Sequence, residues 1–386
     1  MFEFFKKFKV RLPKRNERLR EQPPITSTKL TSKELKMSKS DSTKKETEDK
    51  ELYDVSQLQY EMFPFPKAHP VTRDSMPLME HQVFSLSNQP VLEIIKYEHK
   101  GNKIELKPSI HGLPTINDKD ILIYIGSHIS YAINSGIVPD KWVSFDVRDY
   151  YKFTGKKVGS VSFIRFKEAI ERLYGAYFWT NIEVDGYRRD KPFRVLEDVD
   201  IIQETRSKKG ITKVAIKLPD WLYKTYITGE MLNIADGYFE LTPTRKAMYG
   251  HIRKHCGSNQ GKYVVGIEKF NKKIGKGDKN PKYIRAEIRK IIKNDKGELL
   301  NYKIKLDDKT GNLIVYPLNS KGTAVEFKDL VKLMNPDYKG KTKGVSKEHI
   351  KALEEAEEMY HKAIRKGMSE ETAQGLKYAR MRCALE

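Results

Sequence analysis

The sequence predicts an α+β chain of two consecutive units with the same build, a disordered basic arm before them and a helical extension after them. Three observations carry this reading. The order helix, short strand, helix, turn, helix, strand pair occurs twice, about 120 residues apart. Apolar periodicity is weak before Met76 and strong after it. A Lys/Gly-rich stretch, Lys339–Lys347, then separates the second unit from two further helical patterns. The bounds that follow are 1–75 for the arm, 76–219 and 220–320 for the units, and 321–386 for the linker and C-terminal helices.

Within the arm, Arg11–Lys50 mixes Lys, Arg, Ser, Thr and Glu without a sustained period, a composition that cannot bury enough apolar surface to order itself. In the first unit, Val91–Tyr97 and Lys103–Pro108 flank Gly101-Asn102 as a hairpin. Asn117 or Asp118 caps a helix running to Ser135, with Ile121, Leu122, Ile125, Ile129 and Ile133 at helical spacing and Gly136 as its stop. A strand at Trp142–Phe145 leads into a helix over Asp146–Phe153, closed by Thr154-Gly155. The third helix, Ser160–Tyr174, turns Phe163, Phe166, Ala169, Ile170 and Leu173 inward. Alternation then marks strands at Ala176–Val184, Phe193–Ile202 and Lys213–Leu218.

The second unit opens with helices at Trp221–Ile227 and Thr242–Cys256, the latter with Pro243 at its first position. Tyr263–Val265 is a short strand and Ile267–Ile274 a short helix ended by Gly275. Lys282–Lys293 is a longer helix with Ile284, Ile288, Ile291 and Ile292 inward. Leu299–Leu306 and Asn312–Leu318 then pair across Asp308–Gly311. Val147 aligns with Ile267, Tyr150 with Phe270 and Gly155 with Gly275, while the third helices fit best with one residue inserted. This element order is that of a winged helix, so the expected architecture is two tandem winged-helix domains. Beyond the linker, Ser346 and Ser369 begin two helices, Lys347–Arg365 and one ending near Leu385.

Charge points to the partner. The 386 residues carry 73 Lys and Arg against 52 Asp and Glu, a net charge of +21 and a pI near 9.5, which favours a polyanion, and nucleic acid first. No apolar run is long enough to span a bilayer, so no membrane partner is expected. Two cysteines, Cys256 and Cys383, exclude a disulfide framework and fit a reducing cytoplasm. No signal-type cleavage site follows the Phe-rich start.

Enzyme motifs fail where they can be tested. Gly340-Lys341-Thr342 would need a glycine at Asn335 to be a phosphate-binding loop. The HExxH and GxSxG patterns are missing, as is a histidine pair flanking one apolar residue. His251 and His255 lie one helical turn apart but lack a third ligand nearby in sequence. Asp118 and Asp120 are accounted for by the favourable field at a helix N-terminus. The expectation is a protein without catalytic activity or cofactor.

In a helix-turn-helix arrangement the second helix enters the major groove with its N-terminal half against base edges. Candidate DNA-contacting residues in the first unit are Lys156 and Lys157 in the turn, Ser160 and Ser162 at the helix start, and Arg165 and Arg172 along it. Arg165 is the candidate for bidentate reading of guanine. Arg188 and Arg189, with Lys191, would lie on the wing. In the second unit the candidates are Lys276, Lys279, Lys282, Tyr283, Arg285, Arg289, Lys290 and Lys293. Between Arg245 and Lys296 there are 16 Lys and Arg against 4 Asp and Glu, so the cations concentrate around that unit's third helix.

Several segments resemble the replication initiator protein A family of plasmids. They are Met79-Glu80-His81-Gln82-Val83-Phe84-Ser85-Leu86, Pro108-Ser109, Gly112-Leu113-Pro114-Thr115-Ile116 and Asp118-Lys119-Asp120-Ile121-Leu122-Ile123-Tyr124. Val143-Ser144-Phe145, the helix Phe163–Leu173 and Thr180-Asn181-Ile182 extend the resemblance. It departs from the family pattern at Tyr174-Gly175-Ala176-Tyr177 and at Val158-Gly159. The resemblance implies an initiator that binds directly repeated duplex sites in a replication origin and admits host replication proteins, among them a host initiator and a helicase. It also implies a possible homodimer that represses its own promoter. A winged-helix repressor on an inverted-repeat operator, and a DNA-processing enzyme, are the alternatives.

Overall fold

The computed structural model describes residues 63–65, 70–80, 83–99, 102–184, 187–203, 211–256, 262–276, 280–307, 309–318 and 347–383. All of them fall in one packed unit. Most of the expected arm lies outside the described residues, but its end belongs to the body. Strand β1 (Phe63–Pro64) pairs in parallel with β5 (Trp142–Asp146). The ring of Phe65 stacks on His128 at 4.6 Å and on Phe145 at 5.6 Å. Strand β2 (Arg73–Ser75) is fully buried and pairs with β10 (Met231–Asn233) before leading into α1 (Met76–Glu80). The boundary at 75 is therefore too late, because two- and three-residue strands are too short to show a period.

The first half continues with β3 (Ile95–His99), β4 (Asn102–Lys107), α2 (Lys119–Asn134), β5, α3 (Val147–Phe153) and α4 (Ser160–Gly175). Four strands follow: β6 (Tyr177–Val184), β7 (Tyr187–Arg194), β8 (Asp198–Gln203) and β9 (Ile211–Lys217). They divide between two sheets, in the orders β3-β4-β6-β7 and β1-β5-β9-β8. The single strand expected over 193–202 is thus two strands in different sheets. The chain crosses between them at Val195 and Leu196, both buried, and that apolar pair masked the break.

Helix α5 (Asp220–Ile227) and β10 lead to the second half. There α6 (Pro243–Cys256), β11 (Tyr263–Gly266), α7 (Ile267–Asn271) and α8 (Lys282–Asn294) precede β12 (Glu298–Leu299), β13 (Tyr302–Leu306) and β14 (Asn312–Pro317). Their sheet order is β11-β14-β13-β12. The expected strand 299–306 is interrupted at Leu300, which takes a left-handed φ of 53°.

The two halves repeat one plan. In each, a strand runs straight into a helix and pairs antiparallel with the last strand of a hairpin: Phe145 lies opposite Val214, and Val265 opposite Leu313. Val147 and Tyr150 are buried like Ile267 and Phe270. Gly155 and Gly275 take φ of 67° and 86°, a left-handed conformation at the corner after that helix where a Cβ would add strain. The third helices anchor by matching triads at i, i+4 and i+7: Phe166, Ile170 and Leu173 in α4, and Ile284, Ile288 and Ile291 in α8. Phe166 therefore corresponds to Ile284, and the second half has two residues fewer between corner and core. The one-residue insertion expected from the sequence is replaced by this deletion, and Ile292, expected inward, is 37% exposed.

Buried apolar side chains form a continuous cluster through both halves. Helix α2 is buried on nearly every side because β2, α3, α5 and α10 (Glu370–Cys383) pack around it. The C-terminal pair, α9 (Lys347–Arg365) and α10, is joined by ion pairs of Arg380 with Glu355 and Lys377 with Glu357. It packs back on the body, with Lys224 2.7 Å from Glu371 and Thr228 against Gly375 so closely that a Cβ would not fit.

Candidate nucleic-acid interface

Helix α4 stands on its buried triad and turns its other side to solvent. Its first turn is organised by Ser162, whose hydroxyl accepts from the Gly159 N–H at 3.1 Å and donates to the Lys157 carbonyl at 3.1 Å. The Tyr151 hydroxyl donates to the Ser162 carbonyl at 2.5 Å. Burial is the main reason that the Tyr151 phenol is pushed up to about 12, partly offset by the positive charge of Arg165. Ser162 thus serves the helix start, while Lys157 and Arg165 are exposed. Ser160 begins the helix, but its side chain lies outside the described residues.

Arg172 and Lys156 point elsewhere. Arg172 makes a two-pronged pair with Asp118, Nε to Oδ2 at 2.8 Å and Nη2 to Oδ1 at 2.9 Å, and keeps 16% of its side-chain exposure. Those hydrogen bonds raise the guanidinium pKa. Lys156 reaches Asp120 Oδ2 at 2.7 Å and is half-buried. Neither cation stands free on the outer face of α4, since each is engaged by a carboxylate at the start of α2.

Three consecutive charges at the start of α2 form a hub. Asp118 holds Arg172 and also accepts from the Thr115 N–H at 2.7 Å. Lys119 pairs with Asp74 at 2.6 Å, both side chains buried. Asp120, fully buried, accepts from Lys246 at 2.9 and 2.7 Å, and Lys246 also donates to Asn117 at 3.1 Å. Burial pushes the Asp74 carboxyl up, against the pull of Lys119, and pushes the Lys246 ammonium down, against the pull of Asp120. Asp118 makes no side-chain cap to the helix; its pairing with Arg172 takes precedence over the expected capping role. Lys246 and Asp74 were not among the sequence candidates. The available signal was that Lys246 lies one turn before the buried Tyr249 and Gly250, on the inward face of α6.

Helix α8 is the more basic surface. Its buried triad leaves Lys282, Tyr283, Arg289, Lys290 and Lys293 exposed, with Tyr283 at 77%. Lys282, Ala286, Arg289 and Lys293 follow helical spacing along one outer stripe. Arg285 is half-buried beside Gly311, its Nε buried without a hydrogen-bond partner among the described residues. Glu287 is occupied by Arg245 at 2.8 Å. Lys276 is described only in its backbone and Lys279 lies outside the described residues.

The hairpin expected to carry the wing of the first half is displaced. Arg188, Arg189 and Lys191 sit on β7, in the β3-β4-β6-β7 sheet, and their side chains lie outside the described residues. The hairpin that pairs with β5 is β8–β9, whose connecting residues 204–210 are likewise outside them. On α6, His251 Nε2 lies 3.0 Å from the Tyr263 hydroxyl, and its ring is 4.3 Å from that of His255. Among the described residues no three His, Cys, Asp or Glu side chains come together as a metal site. No helix among them is long and apolar enough to cross a membrane.

Comparison with known proteins gives three findings. A family model described as Replication initiator protein A matches residues 73–304. A protein of Wigglesworthia glossinidia brevipalpis described as "Putative replication protein" is 28% identical over 236 residues, covering 60% of this chain and 84% of its own length. Two crystal structures of domains 2 and 3 of RctB are similar at 12% identity, with TM-scores of 0.47 and 0.40. The first covers 63% of this chain and 98% of the RctB chain, the second 62% and 96%.

Proposed function

The chain belongs to the replication initiator protein A family, and from that premise we propose that it binds directly repeated duplex elements of a replication origin with two winged-helix readers. The observation that carries this reading is the repeated plan of the two halves. Each sets a helix on a buried apolar triad after a glycine corner, beside a hairpin that closes on the first strand. That order of elements supports reading each of these helices as one that enters the major groove. Lys282, Arg289, Lys290 and Lys293 supply the phosphate and base-edge contacts of the second reader, and Lys157 and Arg165 those of the first. Lys156 and Arg172 are left to hold the body together.

Two linked readers fit repeated sites because the second docks at high effective concentration once the first is bound. Phosphate neutralisation makes the binding salt-dependent. The protein acts by binding, without a catalytic step or cofactor, and marks or opens the origin for host replication proteins. On a plasmid the repeats would lie near its own gene. Fluorescence anisotropy on duplexes tiled across the DNA flanking the gene, with scrambled duplexes as controls, tests this. A tight preference for a directly repeated element that survives near-physiological salt is expected. Equal binding to every duplex, lost together as salt rises, would contradict it. Preference for a single inverted repeat would favour a repressor.

A further inference from the structure

The two candidate recognition helices present different chemistry. Where α8 offers cations, the corner before α4 and the first turns of α4 expose aliphatic side chains: Val158 is 47%, Val161 54% and Ile164 59% exposed. Val161, Ile164 and Arg165 lie at i, i+3 and i+4, so they share one outward face. None belongs to the buried triad that anchors α4. Together with Val158 on the corner just before the helix they make an exposed apolar group, and contiguous groups of this kind mark contact surfaces.

Exposed Lys157, Arg165 and Lys167 border the aliphatic group. A second copy of the chain approaching by the same face would bring like charges together. A duplex complements the whole patch, with phosphates for the cations and an apolar group in the major groove for Val161 and Ile164. The apolar group on a base edge there is the C5-methyl of thymine. Resting on the DNA-reading function above, we infer that α4 reads thymine methyl groups with Val161 and Ile164, so the first reader selects T-containing sequence by apolar contact while the second relies on its cations.

The test uses the full chain and a duplex recovered by selection from a random-sequence pool. That duplex is made once with thymine and once with deoxyuridine throughout, which removes only the methyl groups. Wild-type protein is expected to bind the deoxyuridine duplex about fifteenfold more weakly if two methyls are contacted, at about fourfold for each CH2-sized group. V161A/I164A, which trims surface side chains without touching the core, is expected to bind both duplexes equally and at the weaker level. K290A is expected to lower both by the same factor and keep their ratio. Equal binding of the two duplexes by wild type would overturn the inference while leaving sequence-specific binding intact. Recovery of no enriched sequence would overturn the DNA-reading function and the inference together. A change of oligomeric state in V161A/I164A with no thymine dependence would instead assign the patch to a second copy and overturn the inference.

Discussion

Lys246 Nζ lies 2.7 Å from Asp120 Oδ2, and both side chains are at most 1% exposed. The pair ties the start of α6 in the second half to the start of α2 in the first. Lys156, at 2.7 Å from the same oxygen, adds the corner that precedes α4. One buried carboxylate thus fixes the seat of the first candidate recognition helix and the junction between the halves. Charges this deep cost several kcal/mol each to desolvate, so the arrangement holds only while all partners are present.

Lys246→Ala is therefore expected to destabilise the chain by about 3–5 kcal/mol, because it leaves Asp120 buried with only Lys156. Denaturant unfolding measures it. K246M combined with D120L is expected to recover part of the loss, since an apolar pair of similar volume needs no charge balance and the partly exposed Lys156 can turn to water. A loss from Lys246→Ala no larger than that of the exposed Lys290→Ala would mean that the pair does not hold the halves.

Arg172 separates a structural from a DNA-contacting role. Arg172→Ala is expected to lower stability toward the lower end of about 3–5 kcal/mol, because Asp118 is buried while the guanidinium keeps some water. Binding to specific and scrambled duplexes is expected to fall by the same factor or not at all. A selective loss on the specific site, with stability unchanged, would return Arg172 to the base-reading set.

Alkali tests the tyrosine-rich core. Burial raises the phenol pKa of Tyr124, Tyr150, Tyr223, Tyr226, Tyr238 and Tyr249 above the ordinary value near 10. A raised folded pKa means that the unfolded chain loses these protons first. Their contribution is present in full below pH 10 and is lost as pH climbs above it. Lys246 works in the opposite direction: its lowered pKa makes stability rise with pH in the window just below 10.5. Unfolding free energy followed against pH is expected to drop steeply beyond pH 10, in step with tyrosinate absorbance. A flat profile there would mean that the phenols are reached by water.

The exposed cations of α8 make a separable prediction. Arg289→Ala and Lys290→Ala are expected to leave stability within about 0.5 kcal/mol of wild type, as for surface sites generally. A residue that contacts phosphate is expected to weaken binding on all duplexes and reduce the salt slope by roughly one. A residue that reads a base is expected to cost about 1–3 kcal/mol on the specific site alone. Unchanged binding in both variants would remove α8 from the interface.

Local pattern carried much of the fold and less of the site. Helices α2, α4 and α8 were legible because each anchors by apolar residues three or four apart, a period contained within one element, and α6 because Pro243 marks its first position. The glycine corners at 155 and 275 were legible for the same reason. The separation of β7 from β8 was not, since Val195 and Leu196 continue an apolar pattern while the chain changes sheet. Nor was the fate of Arg172 and Lys156, whose partners lie 54 and 36 residues away. From the sequence Lys156 reads as a free cation in the turn and Arg172 as one along the recognition helix, and only tertiary packing engages them. Val161 and Ile164 carry no charge, so the charge pattern that marks a DNA surface in the sequence does not mark them.

Hydroxyl-radical footprinting of the selected duplex, by wild type and by R289A/K290A, tests the central claim of two readers most directly. At saturating protein the wild type is expected to protect two separate patches, and the variant to lose one of them while keeping the other. A single protected patch for the wild type, or loss of both patches together in the variant under the same saturation, would contradict two independently docked helices.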